Sequence, residues 1–365
     1  MNASIVVDLS FGDGGKGRTV DYLCKNSTKS KIVIRFSGGQ QCGHHVMNEF
    51  GSHTHSNFGS GTLRGIESYF TEHCTIYPLT IWNEYSLLKQ KYNLNPFINI
   101  HPLSMITTPY DVAFNQVLEK KNNHGSCGLG VGSTMKRNIE SGYKLYGIDF
   151  LNPIILHQKL DSIKSYYYSQ LNNSQRYNFN YILKYNNYEL SYYDSIKNII
   201  DNGIVNIRNY DYLNNFEDLI FEGSQGILLD MNHGIFPNVT YANTTSKNAL
   251  EVCKKLNISN IELFYVNRCY LTRHGNGWMP NHNKITLINT ENEINVYNEW
   301  QKNFKTGEID YDLLKYSLDI DNIYSNECIN KNIVITCLDQ RPDFKLDKSH
   351  FRRYKNIIEF SSPIN

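Results

Sequence analysis

The chain has 365 residues, which is long enough for one large α/β domain or two smaller ones. Its 36 lysines and arginines balance 35 aspartates and glutamates, and this excludes the polybasic surface typical of nucleic-acid-binding proteins. The N-terminus does not resemble a signal peptide, no apolar run reaches the length of a membrane span, and the eight cysteines show no metal-binding spacing. We therefore expect reduced thiols, a cytoplasmic location, and neither a nucleic-acid nor a membrane partner.

The first predicted element is a strand over residues 4–9, whose nearly continuous apolar side chains indicate burial on both faces. A glycine-rich loop over 10–17, a short amphipathic helix over 19–25 and a second strand over 31–36 follow. This order is the start of a βαβ unit. It predicts an α/β fold with a large, mainly parallel central sheet flanked by helices.

The middle of the chain is predicted to be mostly helical. Helices are expected at 80–92 and 110–121, and the polar, Tyr- and Asn-rich stretch 155–200 is expected to be helical with long loops. Further strands are predicted at 218–221, 261–266 and 332–336. Without an internal repeat or a convincing linker, we expect a single domain over 1–365 with helical insertions at about 80–200.

The loop after the first strand reads Gly12-Asp13-Gly14-Gly15-Lys16-Gly17. Glycines here allow backbone N–H groups to face one concavity, which suits phosphate, and Lys16 adds a positive charge. Asp13 is the unexpected member, because a carboxylate beside phosphate is repelled unless it holds a metal ion or takes up a proton. Taken alone, the loop is also consistent with a tight strand–helix turn in which Asp13 is the helix N-cap.

Three further glycine-rich turns carry polar side chains. Gly43-His44-His45 suggests metal ligands, a general acid or solvated loop histidines, and the last interpretation is favoured for this turn alone. The turn 125–132 suggests a second phosphate cradle rather than a reactive Cys127, since the thiol has no evident basic partner. In the turn 222–226, Gln225 is as consistent with a plain turn as with a base-reading amide. Together, the four turns predict a nucleotide site formed by several loop ends of an open sheet.

These segments resemble the motifs of the adenylosuccinate synthetase family, whose fold is related to that of P-loop proteins. The similar segments are 11–18, 35–44, 221–230, 233–240, 272–277 and 336–339. They occur in the family's order and span nearly the whole chain. The resemblance therefore rests on several long motifs rather than on one short glycine pattern.

The resemblance implies a ligase that joins L-aspartate to C6 of a purine nucleotide. In this chemistry, Asp13 takes the proton from N1 of a 6-oxopurine, and the 6-oxygen then attacks the γ-phosphate of a nucleoside triphosphate. L-Aspartate displaces phosphate from C6 in the second step. His44 donates a hydrogen bond or proton to the transferred phosphoryl group, Lys16 completes the catalytic set, and Asp13 and the carbonyl of Gly43 hold Mg²⁺.

The same resemblance implies three groups of binding residues and a homodimer. The triphosphate is expected to contact Gly12, Asp13, Gly14, Gly15, Lys16, Gly17, Arg18, Gly43, His44, His45, Asp339, Ser361 and Pro363. The purine monophosphate is expected to contact Asp13, Gln41, Ser126, Cys127, Lys144, Gln225 and Thr240, with Arg137 as an alternative to Lys144 and the dimer interface as an alternative place for this contact. The aspartate is expected to contact Lys305, Thr306 and Gly307.

Departures from the family pattern suggest a particular branch. The chain is shorter after Asp339, residues 298–307 replace an arginine-rich aspartate loop, and Cys337 replaces a lysine. These features resemble the compact phage-type 2-aminoadenylosuccinate synthetases, which join dGMP to aspartate with ATP or dATP, and which imply the host cytoplasm. The retained Asp13 instead keeps open an ordinary synthetase that uses IMP and GTP. The missing arginine loop keeps open a catalytically silent nucleotide-binding homologue.

Overall fold

The computed structural model describes residues 1–122, 126–280, 285–291, 293 and 304–362. The strands in these residues are β1 (Asn2–Asp8), β2 (Lys31–Arg35), β3 (His44–Asn48), β4 (Gly51–His55), β5 (Ser68–Phe70), β6 (Thr75–Ile76), β7 (Ile98–Ile100), β8 (Met105–Ile106), β9 (Val205–Ile207), β10 (Asp218–Glu222), β11 (Asn260–Arg268), β12 (Leu271–Arg273), β13 (Lys305–Gly307), β14 (Asn330–Thr336) and β15 (Asn356–Glu359). The helices are α1 (Lys16–Asn26), α2 (Pro78–Tyr92), α3 (Pro109–Asn122), α4 (Val131–Glu140), α5 (Pro153–Ser169), α6 (Asn173–Tyr185), α7 (Tyr188–Asp201), α8 (Lys247–Lys255) and α9 (Tyr311–Ser325).

Nine strands form one central sheet in the order β15-β14-β11-β1-β10-β2-β5-β7-β9. All neighbouring pairs in this sheet are parallel, which confirms the predicted α/β fold. The carboxyl ends of the strands therefore lie along one edge. The loops that follow β1, β2, β10, β11 and β14 meet at this edge, and they contain most of the predicted site residues.

The central strand β1 is buried on both faces, as predicted. Ile5 and Val7 belong to one hydrophobic cluster, whereas Val6 belongs to a second cluster on the other face with Val20 of α1. This alternation explains why the sequence of β1 is continuously apolar: a strand covered by helices on both sides has no solvent-facing side chains.

The region 155–200 is helical as predicted, but the predicted long loops are wrong. Helices α5, α6 and α7 are separated by only three and two residues, at 170–172 and 186–187. The polar residues that suggested loops have other roles. Asn172 caps α6 in a capping box with Gln175, and Tyr167 and Tyr192 are buried in the hydrophobic cluster that these helices share.

A buried ion pair joins helices α3 and α4. Arg137 donates to both carboxylate oxygens of Asp111, at 2.9 Å each, and to the carbonyl oxygens of Ile106 and Tyr143. Tyr167 of α5 donates to the same carboxylate at 2.6 Å. These bonds hold three helices together. The expected role of Arg137 as an alternative ligand of the monophosphate stays a prediction.

None of the described helices has the length and apolar character needed to cross a membrane. All eight cysteines lie in the described residues and are free thiols, five of them buried and three partly buried. Most of the cysteines are therefore buried.

Replacing Arg137 by Met is expected to lower the free energy of unfolding by about 3–5 kcal/mol, because it leaves the Asp111 carboxylate buried without its cation. The measurement is urea denaturation followed by circular dichroism. The control is Lys164→Met, which breaks the half-exposed ion pair with Glu189 and should cost no more than about 1 kcal/mol. Equal losses in the two variants would contradict the role assigned to Arg137.

Candidate active site

A cavity of about 1220 Å³ lies at the carboxyl edge of the central sheet. Its volume is above the range usual for one small-molecule site, so it has room for more than one substrate. Among the described lining residues, five are lysines or arginines and two are acids: Lys16, Lys136, Arg137, Arg268, Arg273, Asp13 and Glu119. This excess of positive charge suits phosphate and carboxylate groups.

The glycine loop is held by Asp8, the last residue of β1. One carboxylate oxygen of Asp8 accepts the backbone N–H of Gly14 at 2.7 Å and the ammonium of Lys16 at 2.9 Å, and the other accepts the N–H of Ser10. Lys16 also donates to the carbonyl oxygen of Gln225 at 2.7 Å. Lys16 therefore ties the loop after β1 to the loop after β10. The N–H of Gly14 is used inside the loop in this arrangement.

Helix α1 begins without a side-chain cap. Its N-cap is Gly15, in a left-handed conformation with φ of 96°, and this cap makes no side-chain hydrogen bond. The alternative in which Asp13 caps the helix is therefore wrong. Gly15, Lys16 and Gly17 line the cavity, and this end of a helix favours an anion such as phosphate.

The carboxylate of Asp13 lies on the cavity wall at a residue with φ of 60°. Its Oδ2 is 3.3 Å from Nε2 of His274, and its backbone carbonyl accepts from Nε of Arg268 at 2.6 Å. Burial opposes ionisation of Asp13, but the hydrogen bond and charge of His274, with the charges of Arg268 and Lys16, outweigh it and lower the pKa. Asp13 is therefore ionised at neutral pH.

His44 begins strand β3 and is fixed by Glu222, the last residue of β10. Its Nδ1 lies 2.6 Å from Oε1 of Glu222, whose carboxylate also accepts from the backbone N–H and the hydroxyl of Ser60. Burial, together with the charges of Arg35 and Lys16, lowers the pKa of His44 more than Glu222 raises it. The charges and hydrogen bonds around Glu222 overcome its own burial and lower its pKa to about 2. The ionised Glu222 thus orients the ring so that Nε2 is left for the cavity.

The residues predicted to bind the purine monophosphate lie around this cavity, with one exception. Gln41, Ser126, Cys127, Gln225 and Thr240 line it together with Asp13. The side-chain amide of Gln41 has no hydrogen-bond partner in the part of the chain that the structure describes.

Lys144 is exposed and is not among the described residues that line the cavity, so its contact with the monophosphate stays a prediction. Burial raises the pKa of the Cys127 thiol to about 11, which agrees with the preference against a reactive cysteine.

The residues predicted to bind the triphosphate extend from the cavity toward the C-terminal segment. Lining residues are Gly12, Asp13, Gly15, Lys16, Gly17, Gly43, His44 and His45. The guanidinium of Arg18 lies over the ring of Phe360, with its carbon 4.3 Å from the ring centre. The negative charge of Asp339 acts to raise the pKa of Arg18. Ser361 follows Phe360 and is exposed. Pro363 lies outside the described residues.

The residues predicted to bind aspartate form the short strand β13, which pairs with β12. Lys305 lies opposite Arg273 and donates to the carbonyl oxygen of Gly277 at 2.9 Å. Of the described cavity-lining residues, Arg273 rather than Lys305 is the cation here. Arg273 is fixed by the carbonyl oxygens of Asn238, Asn276 and Trp278.

Five residues that organise this site were not predicted from the sequence, namely Asp8, Glu222, Arg268, Arg273 and His274. Three of them share a recognisable signal, because each is an ionisable residue at the buried carboxyl end of a strand: Asp8, Glu222 and Arg268. Such a residue is buried only when a partner compensates its charge. Arg273 and His274 lay in a quoted motif without an assigned function.

Comparison with known proteins decides the family. Residues 5–343 match the family model described as adenylosuccinate synthetase. The chain belongs to the adenylosuccinate synthetase family. Family members are ligases that form carbon–nitrogen bonds.

Two bacterial synthetases illustrate the relationship. The adenylosuccinate synthetase of Buchnera aphidicola subsp. Baizongia pistaciae is 28% identical over 291 residues, and that of Borrelia duttonii is 31% identical over 245 residues. These matches cover 76% and 66% of the chain, but only 64% and 55% of the two relatives. The chain therefore aligns with less than two thirds of each relative's length.

Two solved structures share the fold. Adenylosuccinate synthetase from Plasmodium falciparum has a TM-score of 0.65 at 19% identity, covering 93% of this chain and 77% of its own. The succinoaminodeoxyadenylate synthetase PurZ of cyanophage S-2L, solved with dGMP and dATP, has a TM-score of 0.68 at 14% identity and covers 100% of this chain and 93% of its own. At these identities, the likeness confirms the synthetase-like fold alone.

Replacing His274 by Gln is expected to raise the pKa of Asp13, because the variant removes the hydrogen bond and charge that stabilise the carboxylate. The measurement is a pH titration of the Asp13 carboxyl carbon by NMR. The matched control is His233→Gln, which removes a histidine bonded to Tyr324 instead. An unchanged Asp13 midpoint in the His274 variant would show that His274 does not tune this carboxylate.

Proposed function

We propose that this chain is a ligase that joins L-aspartate to C6 of a 6-oxopurine nucleoside monophosphate through a 6-phosphoryl intermediate. The observation that carries the proposal is the convergence of Asp13, His44 and the uncapped start of α1 on one cavity that also contains Gln41 and Gln225. A carboxylate base, a buried imidazole and a phosphate seat are the groups that this chemistry requires. Family membership supports the same reaction.

Asp13 has the properties of the proposed base. Its lowered pKa keeps it ionised at neutral pH, so it can take the N1 proton of the purine. The negative charge then reaches the 6-oxygen, which attacks the γ-phosphorus and releases the nucleoside diphosphate. In the second step, the amine of L-aspartate attacks C6, and phosphate leaves. Arg273 is the candidate for holding a carboxylate of the incoming aspartate.

His44 has the properties of the proposed donor to the phosphoryl group. Without a ligand, burial favours its neutral form, with Nδ1–H directed to Glu222. A triphosphate beside Nε2 would favour the protonated ring, and the Glu222 carboxylate would stabilise that cation. His44 would then donate through Nε2 to the phosphoryl oxygen as negative charge develops there.

A divalent cation fits the oxygen atoms present. The ionised carboxylate of Asp13 and the backbone of Gly43 both line the cavity, and hard oxygen ligands suit Mg²⁺. We propose that Asp13 and the carbonyl of Gly43 hold Mg²⁺, which would neutralise charge on the phosphates when bound.

We propose dGMP as the acceptor and ATP or dATP as the donor, giving 2-amino-2'-deoxyadenylosuccinate for 2-aminoadenine DNA. The support is the chain's own departures, namely the replaced aspartate loop at 298–307 and Cys337 in place of a lysine. The PurZ structure contains the same two nucleotides in the same fold. The second candidate is the IMP- and GTP-dependent reaction, which the retained Asp13 and the bacterial relatives favour. A homodimer remains part of the proposal, because Lys144 lies outside the cavity of one chain.

A substrate panel tests the proposal: dGMP, GMP and IMP crossed with ATP, dATP and GTP, with and without L-aspartate and Mg²⁺. We expect aspartate-dependent phosphate release with dGMP and ATP or dATP. Asp13→Asn should reduce it by about 10²-fold or more, whereas the exposed Asp211→Asn should not. Turnover only with IMP and GTP would support the second candidate. Nucleotide binding without aspartate-dependent phosphate release would identify a silent homologue.

Replacing Glu222 by Gln tests the role of His44. The variant removes the charge that favours protonated His44, so the decline of activity at alkaline pH should begin at lower pH. At neutral pH, kcat should fall by about 10²-fold with little change in KM for the acceptor. Glu67→Gln is the matched control, since Glu67 bonds to Asn99 and Tyr212 away from the cavity. An unshifted pH profile in the Glu222 variant would contradict this role.

A further inference from the structure

Three potential metal ligands meet outside the cavity. They are His53 and His55 of β4 and Glu84 of α2, and each contributes one ligand atom to a group whose members lie within 4.8 Å of one another. None of the three is among the described residues that line the proposed active site. The group therefore needs an explanation of its own.

Local geometry places these side chains together. His53 and His55 are two residues apart on one strand, so they project from the same face. Glu84 faces them from the next layer, with its Oε1 3.3 Å from Nε2 of His53. The carboxylate also accepts from the backbone N–H groups of Ser56 and Asn57, which fix its position. Hydrogen bonds that fix the orientation of a carboxylate in this way are typical of carboxylates that ligate a metal.

The second observation is the state of His55. Its side chain is fully buried, yet neither ring nitrogen has a hydrogen-bond partner among the described residues. A buried polar group without a hydrogen-bond partner destabilises the folded state. A buried imidazole nitrogen without a hydrogen-bond partner can be satisfied by a metal ion, for which histidine is a common ligand.

We propose that His53, His55 and Glu84 form a binding site for a transition-metal ion of the zinc class. Two imidazoles and one carboxylate are a ligand set that zinc uses, with a fourth position left for water or another ligand. With bonds of about 2.1 Å, tetrahedral geometry needs ligand atoms about 3.4 Å apart. The ligand atoms of His53 and Glu84 are 3.3 Å apart, close to this spacing, and the ligand atom of His55 lies within 4.8 Å of both. Mg²⁺ prefers oxygen ligands and is not expected here.

The position of this site links it to the strand that carries His44. In the β3–β4 hairpin, His44 is paired directly with His55. A metal ion bound by His55 and Glu84 would fasten the hairpin to helix α2. The proposal does not depend on the proposed reaction, because it concerns binding by residues outside the cavity.

The test is a titration of the chelator-treated full-length protein with Co²⁺ and then Zn²⁺. We expect one Co²⁺ per chain with the intense visible bands of a tetrahedral or five-coordinate ion, and displacement of this Co²⁺ by Zn²⁺. A nitrogen–oxygen site should not give the near-ultraviolet sulfur-to-cobalt band that the free cysteines would produce. An excess of Mg²⁺ should not displace the Co²⁺.

Variants assign the site. His53→Gln is the main variant, because His53 is partly exposed and its replacement should preserve the fold. This variant and Glu84→Gln should bind Co²⁺ about tenfold more weakly or worse, with circular dichroism as the check on folding. The control His157→Gln removes an exposed histidine paired with Asp161 and should bind like the wild type. Asp13→Asn should also retain the site, which separates it from the proposed Mg²⁺ ligand.

Absence of the visible bands in the wild type would overturn the proposal. Unchanged Co²⁺ affinity in a folded His53 variant would also overturn it. Loss of the bands in His53→Gln but not in His157→Gln would support it.

Discussion

The carboxylate of Asp8 is the interaction on which the geometry of the site depends. Asp8 is the last residue of the central strand. Its two carboxylate oxygens accept hydrogen bonds from the backbone N–H groups of Ser10 and Gly14 and from the ammonium of Lys16. These bonds fold the glycine loop back on the strand, which places Asp13 on the cavity wall and starts α1 without a side-chain cap. Lys16 then reaches Gln225, so the same carboxylate also positions the loop of a neighbouring strand. A buried charge is thus compensated by the loop that it organises.

The neighbouring strands repeat this arrangement with different partners. The last residues of β2, β10 and β11 are Arg35, Glu222 and Arg268, and all are buried. Glu222 is compensated by His44, and Arg268 by Glu293 and the carbonyl oxygen of Asp13. A parallel sheet places Arg35 beside Glu222 on the neighbouring strand, and the charge of Arg35 helps to lower the pKa of Glu222. The fold therefore sets the electrostatics of the cavity as well as its shape.

The sequence predicts the sheet well because buried parallel strands leave a continuous apolar run, and it predicts most loops that reach the cavity because glycine clusters follow those strands. It did not predict the β3–β4 hairpin, whose His, Asn and Thr residues lack the alternation of a half-buried strand. Nor did it predict the pairing of His44 with Glu222 across 178 positions, since contact between distant residues depends on strand order. Tyrosines and asparagines in 155–200 suggested loops because their packing and capping roles depend on neighbouring helices.

The contact between Gly17 and His44 restricts how this site can change during evolution. Alanine at position 17 would favour the helix by up to about 1 kcal/mol, but its Cβ would lie only 2.9 Å from the Cβ of His44. Gly142 has no atom within 4 Å of such a Cβ, so the same mutation there is sterically neutral. Substitutions at Gly142 are therefore less restricted by the structure than substitutions at Gly17. Position 17 can diverge only if the hairpin that carries His44 shifts with it.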